Sequence, residues 1–175
     1  MIASQNFLLE VVTNPQGFFT RLKQKPVQWA VPILMLFAIW VVSNLVPVLV
    51  GELTQPNLLA SLIFTATAGL GLIVCAVLLA GGARVLEVLG FAVAPLLLAM
   101  LLMSGLWFLG DIGKGIGSVI ILIALILAVR SVFIGLSIMT QNPSATWRTI
   151  LLAPVFTFFF MAIPFGLLLR WAGLA

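Results

Sequence analysis

Few residues of this chain are equipped for chemistry, and their types exclude most reactions. Among 175 residues there is no histidine or tyrosine, a single cysteine, Cys75, and only four acids: Glu10, Glu52, Glu87 and Asp111. A nucleophile needs a neighbouring base or cation to activate it. Cys75 lies in the apolar stretch Leu72-Ile73-Val74-Cys75-Ala76-Val77 with neither, so it reads as a small packed side chain. Metal sites draw on clusters of His, Cys or carboxylate, and these residues do not cluster. The sequence therefore predicts no catalytic residue, metal ligand or cofactor, and no enzyme.

One residue stands out. Arg130 lies well inside an apolar run, about eight residues or roughly 12 Å from its end at 1.5 Å per residue. A charge at such depth is costly and usually faces the interior of a bundle or a wet cavity, unless its long stem carries it to the headgroups. Both placements are open from the sequence. If Arg130 faces inward, Glu87 is its best acidic partner, since both belong to the same half of the membrane. Asn44 and Ser43 are the other polar groups embedded in an apolar run.

These residues sit on elements that the composition defines. Hydrophobic residues make up 63% of the chain, charged residues 7%, and mean hydropathy is +1.33. A soluble domain carries roughly 25% charged residues, so the bilayer must serve as solvent here. Apolar runs cover Val27 to Val50, Leu58 to Ala80, Ala92 to Leu109, Ile116 to Ile138 and Thr149 to Leu169. Each approaches the roughly 20 residues that span a bilayer core as a helix, and none alternates as a barrel strand would. The expected fold is an all-α integral membrane protein. Its five transmembrane helices (residues 27–175) follow an N-terminal cytoplasmic or interfacial segment (residues 1–26). The basic excess is then a topology signal, with no nucleic-acid partner implied. Arg21, Lys23, Lys25, Arg84 and Arg148 fall on one side, and Lys114 and Arg170 on the other. The side richer in cations faces the cytoplasm, which puts the N-terminus inside and the C-terminus outside.

The joints carry recognisable punctuation. Asn14-Pro15 is a helix start, with Asn as cap and Pro at the first helical position. Phe18, Phe19 and Leu22 then share one face, and Arg21, Lys23 and Lys25 point the other way. This is the pattern of a helix lying in the headgroup layer, with its cations meeting anionic headgroups. Gly81-Gly82 stops the second run, and Arg84 to Leu89 reads as a short amphipathic turn. Gly90 and Pro95 weaken the start of the third run. Ala124, Ala128, Ser131 and Gly135 form a small-residue stripe suited to close packing within the bundle. Glu52, Thr54, Gln55, Pro56 and Asn57 form a polar outer turn, as do Asp111 and Lys114. Asn142-Pro143 starts the fifth helix, whose phenylalanines around Pro154 and Pro164 face lipid and neighbouring helices.

Two of these segments together resemble a known family. The N-terminal Asn14-Pro15-x-x-Phe18-Phe19-x-x-Leu22 and the joint Gly81-Gly82 with Val88-Leu89-Gly90-Phe91-Ala92-Val93-Ala94-Pro95, set in a five-span layout, resemble the Yip family of polytopic membrane proteins. Eukaryotic members bind Rab-type GTPases and act in vesicle traffic. This chain lacks their long polar N-terminal region and their Asp-Leu-Tyr-Gly-Pro motif, so the resemblance does not carry GTPase binding to it. It is similar to the short prokaryotic branch, which implies a plasma (inner) membrane location.

Two functions follow as expectations. One is a non-enzymatic scaffold, adaptor or bilayer organiser, with membrane lipids, membrane proteins or copies of itself as partners. The other is a transporter or permeation path for a small or lipidic solute, with Arg130 in the pathway.

Overall fold

The computed structural model describes residues 7–49, 55–82, 84–106 and 109–171, and among them the only regular structure is helix. Eight helices follow in order: α1 (Phe7–Thr13), α2 (Pro15–Gln24), α3 (Ala30–Leu49), α4 (Gln55–Ala80), α5 (Val85–Ala92), α6 (Ala94–Leu106), α7 (Gly110–Thr140) and α8 (Pro143–Trp171). Four helical stretches are long and apolar enough to cross a membrane: Leu58–Ala80, Val85–Leu106, Gly110–Thr140 and Pro143–Trp171. The helix of the first apolar run, α3, has 20 residues.

The punctuation works as its chemistry dictates. Asn14 Oδ1 accepts from the Gly17 amide at 3.0 Å, with Pro15 opening α2. Asn142 Oδ1 accepts from the amides of Ser144 at 3.0 Å and Ala145 at 3.3 Å, with Pro143 opening α8. Gly81 ends α4 at φ +72°, a conformation open to glycine at little cost.

Three boundaries differ from the sequence reading. The third apolar helix starts at Val85, seven residues before Ala92, because Arg84 to Leu89 continue into a helix rather than closing a turn. That span is then interrupted at Val93, between α5 and α6. Pro95 has no amide hydrogen to donate back to Phe91. The α7 helix starts at Gly110, so Asp111 and Lys114 lie in its first turns instead of an outer loop. Gln55 opens α4, while Glu52 and Thr54 of the expected outer turn lie outside the described residues.

The most extensive packing joins α4 to α8 and α6 to α7. The fully buried core is elsewhere, where α2, α5 and α7 meet. Phe19, Leu22, Val88 and Leu136 are at most 1% exposed there. The small stripe of α7 lies on this inner face: Ala124, Ala128, Ser131 and Gly135 are all buried. A Cβ on Gly135 would come within 2.6 Å of Val88 Cγ1 and 3.0 Å of the Phe19 ring. Close approach is what small residues contribute in lipid. In contrast, Phe158, Phe159, Phe160, Ile163 and Leu167 of α8 are exposed, as the lipid-facing side of a span requires.

Candidate functional site: the basic end of the bundle

The N-terminal amphipathic segment is a folded cap. Phe18, Phe19 and Leu22, expected to dip into the headgroup layer, are buried against protein. The physical reason is that α5 and α7 offer an apolar surface of matching shape, opened by Gly135 and Val88. Phe18 meets Phe19 edge-on at 5.3 Å and Phe91 at 5.1 Å, and Phe7 of α1 closes on Phe91 at 6.0 Å. Such edge-to-face pairs contribute about 0.5–1.5 kcal/mol each beyond the area that they bury.

Two cations fix this cap to the bundle through helix termini. Arg84, just ahead of α5, donates from Nη2 to Leu22 O at 2.7 Å and from Nη1 to Lys23 O at 3.1 Å. Those carbonyls belong to the last turn of α2, where helical acceptors lack partners and the dipole is negative. Lys23 Nζ donates in turn to Ile138 O, 2.9 Å away in the last turn of α7. A basic residue of the α5 segment thus caps α2, and a basic residue of α2 caps α7.

The acids at this end are engaged locally. Glu87 Oε2 lies 3.2 Å from Arg84 Nη2, and Glu10 pairs with Arg21 across α1 and α2. This corrects the expected partnership between Glu87 and Arg130. Glu87 sits one turn from Arg84 on its own helix, and that near cation occupies it. Arg130 is exposed on α7, and among the described residues it makes no ion pair. The α7 face turned inward is the small stripe, which leaves no room for a guanidinium.

Gly90, Phe91 and Pro95 are all buried. Gly90 lets α5 cross α3: a Cβ there would press on Pro32 Cβ and reach within 2.6 Å of its Cα and carbonyl oxygen. Phe91 is the centre of the aromatic cluster, and Pro95 sets the break between α5 and α6. The Gly-Phe-x-x-x-Pro element is therefore a packing device. Sequence reasoning did not find Pro32 as the other half of the Gly90 contact, because nothing in local spacing marks it.

Asn44, 3% exposed, organises a second polar locus between α3 and α4. Its Nδ2 donates to Trp40 O at 2.8 Å and to Thr65 Oγ1 at 3.1 Å, while its Oδ1 accepts from Ser61 Oγ at 3.0 Å. Trp40 Nε1 donates to Thr65 Oγ1 at 3.0 Å, and Ser43 Oγ donates to Trp40 O at 2.9 Å. The network satisfies itself, as interhelical polar contacts in lipid must. Two open grooves nearby, one of about 530 Å³ along α3 and one of about 490 Å³ between α4 and α8, are apolar. Neither includes Asn44 or Arg130.

Of the exposed cations at this end Arg21 is paired with Glu10, and Lys25 and Arg148 face outward. The arrangement can bind anionic surfaces and present a rigid basic face. Among the described residues no group of three His, Cys, Asp or Glu side chains is placed to hold a metal. No known protein family's model, no curated protein and no solved structure matches this chain.

Proposed function

We propose that this chain is a non-enzymatic, multi-pass membrane protein, a short prokaryotic-type relative of the Yip family, that organises the bilayer or holds membrane-protein partners through its basic end. The observation that carries the reading is the α1–α2 cap. The α2 helix is latched over one end of the bundle by Arg84 and Lys23, the Glu10–Arg21 pair ties α1 to it, and Lys25 and Arg148 are left facing out. A rigid basic platform beside a bilayer suits contact with anionic headgroups or acidic partner segments. In this reading α3 is a fifth span, the N-terminus and the basic end face the cytoplasm, and the membrane is the plasma (inner) membrane. The permeation alternative asks Arg130 to line an interior path, and its outward placement gives that alternative no support.

Two experiments test the proposal. Reporter fusions at residues 1 and 175 should place the N-terminus in the cytoplasm and the C-terminus outside; a C-terminal reporter active only in the cytoplasm refutes the five-span arrangement. Affinity capture in nanodiscs, with proteomics and lipidomics on one eluate, should lose its specific co-purifying components in a Lys25→Glu/Arg148→Glu variant. Captured components that do not change, together with solute flux in proteoliposomes, would move the reading to transport.

A further inference from the structure

Arg130 has an environment that no protein group among the described residues completes. It is exposed on α7, between Ile126 and Val129, which are 61% and 49% exposed, and the Phe133–Trp147 ring pair that joins α7 to α8 at 5.1 Å. Helical spacing puts Phe133 on the same face as Arg130. Trp147 is itself 54% exposed, and the exposed Arg148 follows it at the start of α8.

The depth follows from helix length. The 31 residues of α7 extend about 46 Å against a hydrocarbon core of about 30 Å, so a centred helix places Arg130 about 8 Å inside the boundary at its C-terminal end. The Cβ of a helical residue tilts toward the helix N-terminus. For Arg130 that direction is toward the middle of the membrane, which works against escape to the nearer headgroups. A guanidinium held there needs an anion brought to it. Glu10 and Glu87 are taken by Arg21 and Arg84, and Asp111 lies 19 residues away along α7, about 28 Å. The fourth acid, Glu52, lies outside the described residues.

We infer that Arg130, with the Phe133–Trp147 pair as its wall and Arg148 at its rim, forms a binding site for the phosphate of an anionic phospholipid in the leaflet that meets the α7 C-terminus. The guanidinium fork matches two phosphate oxygens, and a bidentate charge-assisted contact is strong where water is scarce. The aromatic pair sits at the depth of the glycerol and upper acyl chain, where tryptophan is favoured. Arg148 adds a second cation nearer the water, which favours a lipid with net negative charge over a zwitterion. The bound lipid is drawn below its neighbours, so the site thins the bilayer locally. This inference needs only that α7 crosses a bilayer; it stands whether or not the scaffold reading does.

The test is a lipid titration of the full chain, delipidated in mild detergent and followed by native mass spectrometry. Phosphatidylglycerol and phosphatidylcholine are compared, with inorganic phosphate as competitor. The wild type should retain a phosphatidylglycerol that Arg130→Gln binds about tenfold more weakly, a loss on the scale of one charge-assisted contact. Arg130→Lys should fall between them, Arg170→Ala at the far end of α8 should match the wild type, and phosphate should not compete. Superposed titrations for wild type and Arg130→Gln overturn the site. So do equal retention of phosphatidylcholine, competition by phosphate, or a dimer whose mass is lost in Arg130→Gln, which would make a second copy the occupant. A second measurement does not depend on that variant folding. A fluorophore on Ile126→Cys in a Cys75→Ser background should be quenched more by brominated phosphatidylglycerol than by brominated phosphatidylcholine, and equal quenching refutes the preference.

Discussion

Replacing Gly90 by alanine adds one methyl group where α5 crosses α3, and the structure fixes what that methyl meets. It presses on Pro32 Cβ and lies 2.6 Å from both the Cα and the carbonyl oxygen of Pro32, where ordinary contact begins at 3.4 Å. The helices must separate by about 0.8 Å, and the obstacle is backbone, which no rotamer change can move aside. Alanine gains about 1 kcal/mol of helix propensity over glycine. Overpacking typically costs about 1–3 kcal/mol, occasionally more, and rigid backbone places this site at the upper end. The expected net loss is about 2 kcal/mol. The assay is the unfolding midpoint of purified protein in detergent, with Gly105→Ala and Gly166→Ala as controls. A Cβ at either of those positions meets nothing within 4 Å, so they should be neutral or slightly stabilising. Adding Pro32→Ala should not rescue Gly90→Ala, because Cα and the carbonyl remain in place. A Gly90→Ala protein as stable as wild type, or full rescue by Pro32→Ala, would refute the reasoning.

Three further outcomes are expected. Phe19→Ala should destabilise the solubilised fold by about 3–5 kcal/mol, since the ring is 0% exposed within protein; a headgroup-embedded Phe19 would instead leave the midpoint unchanged. Arg84→Ala removes the cap on the α2 terminus and leaves Glu87 without its cation. With that cation more than a third exposed, screening limits the loss to about 1–2 kcal/mol, and tryptic cleavage after Arg21 and Lys23 should accelerate. Asn44→Leu should cost about 1 kcal/mol, as interhelical hydrogen bonds in membranes do, read from the same midpoint; loss of solute flux at unchanged stability would point to a permeation role.

What was legible in the sequence was local. Apolar run length located the long helices, and Asn14-Pro15, Asn142-Pro143 and Gly81 marked ends that depend on residues three or four apart. The stripe from Ala124 to Gly135 was legible because one helix face repeats every turn. The surroundings of Phe18, Phe19 and Leu22 were not, because an apolar face looks alike whether lipid or protein covers it. Nor could the partner of Glu87 be read from depth alone, with Arg84 one turn away and Arg130 on a different helix. The latch of Arg84 on Leu22 and Lys23 joins residues about sixty positions apart, and only the folded chain brings that carbonyl pair and that guanidinium together.

The α4–α8 pairing bears on how the chain assembles. Ala76 is the one fully buried side chain of α4 among its described residues, and its most extensive neighbour is α8, which leaves the ribosome after α5, α6 and α7. The α4 helix therefore waits with its α8 face in lipid, held by α3 and then α5, while three later helices insert. It is suited to that wait: it carries no charged residue between Gln55 and Ala80, the hydroxyls of Thr65 and Thr67 bond to carbonyls of their own preceding turn, and Ser61 bonds to Asn44 of the earlier α3. The insertion machinery must release α4 sideways and leave its surface free until α8 arrives. Completion of α8 is then the step that closes the bundle, and stalled chains should accumulate as a species with α4 still accessible to quality-control proteases.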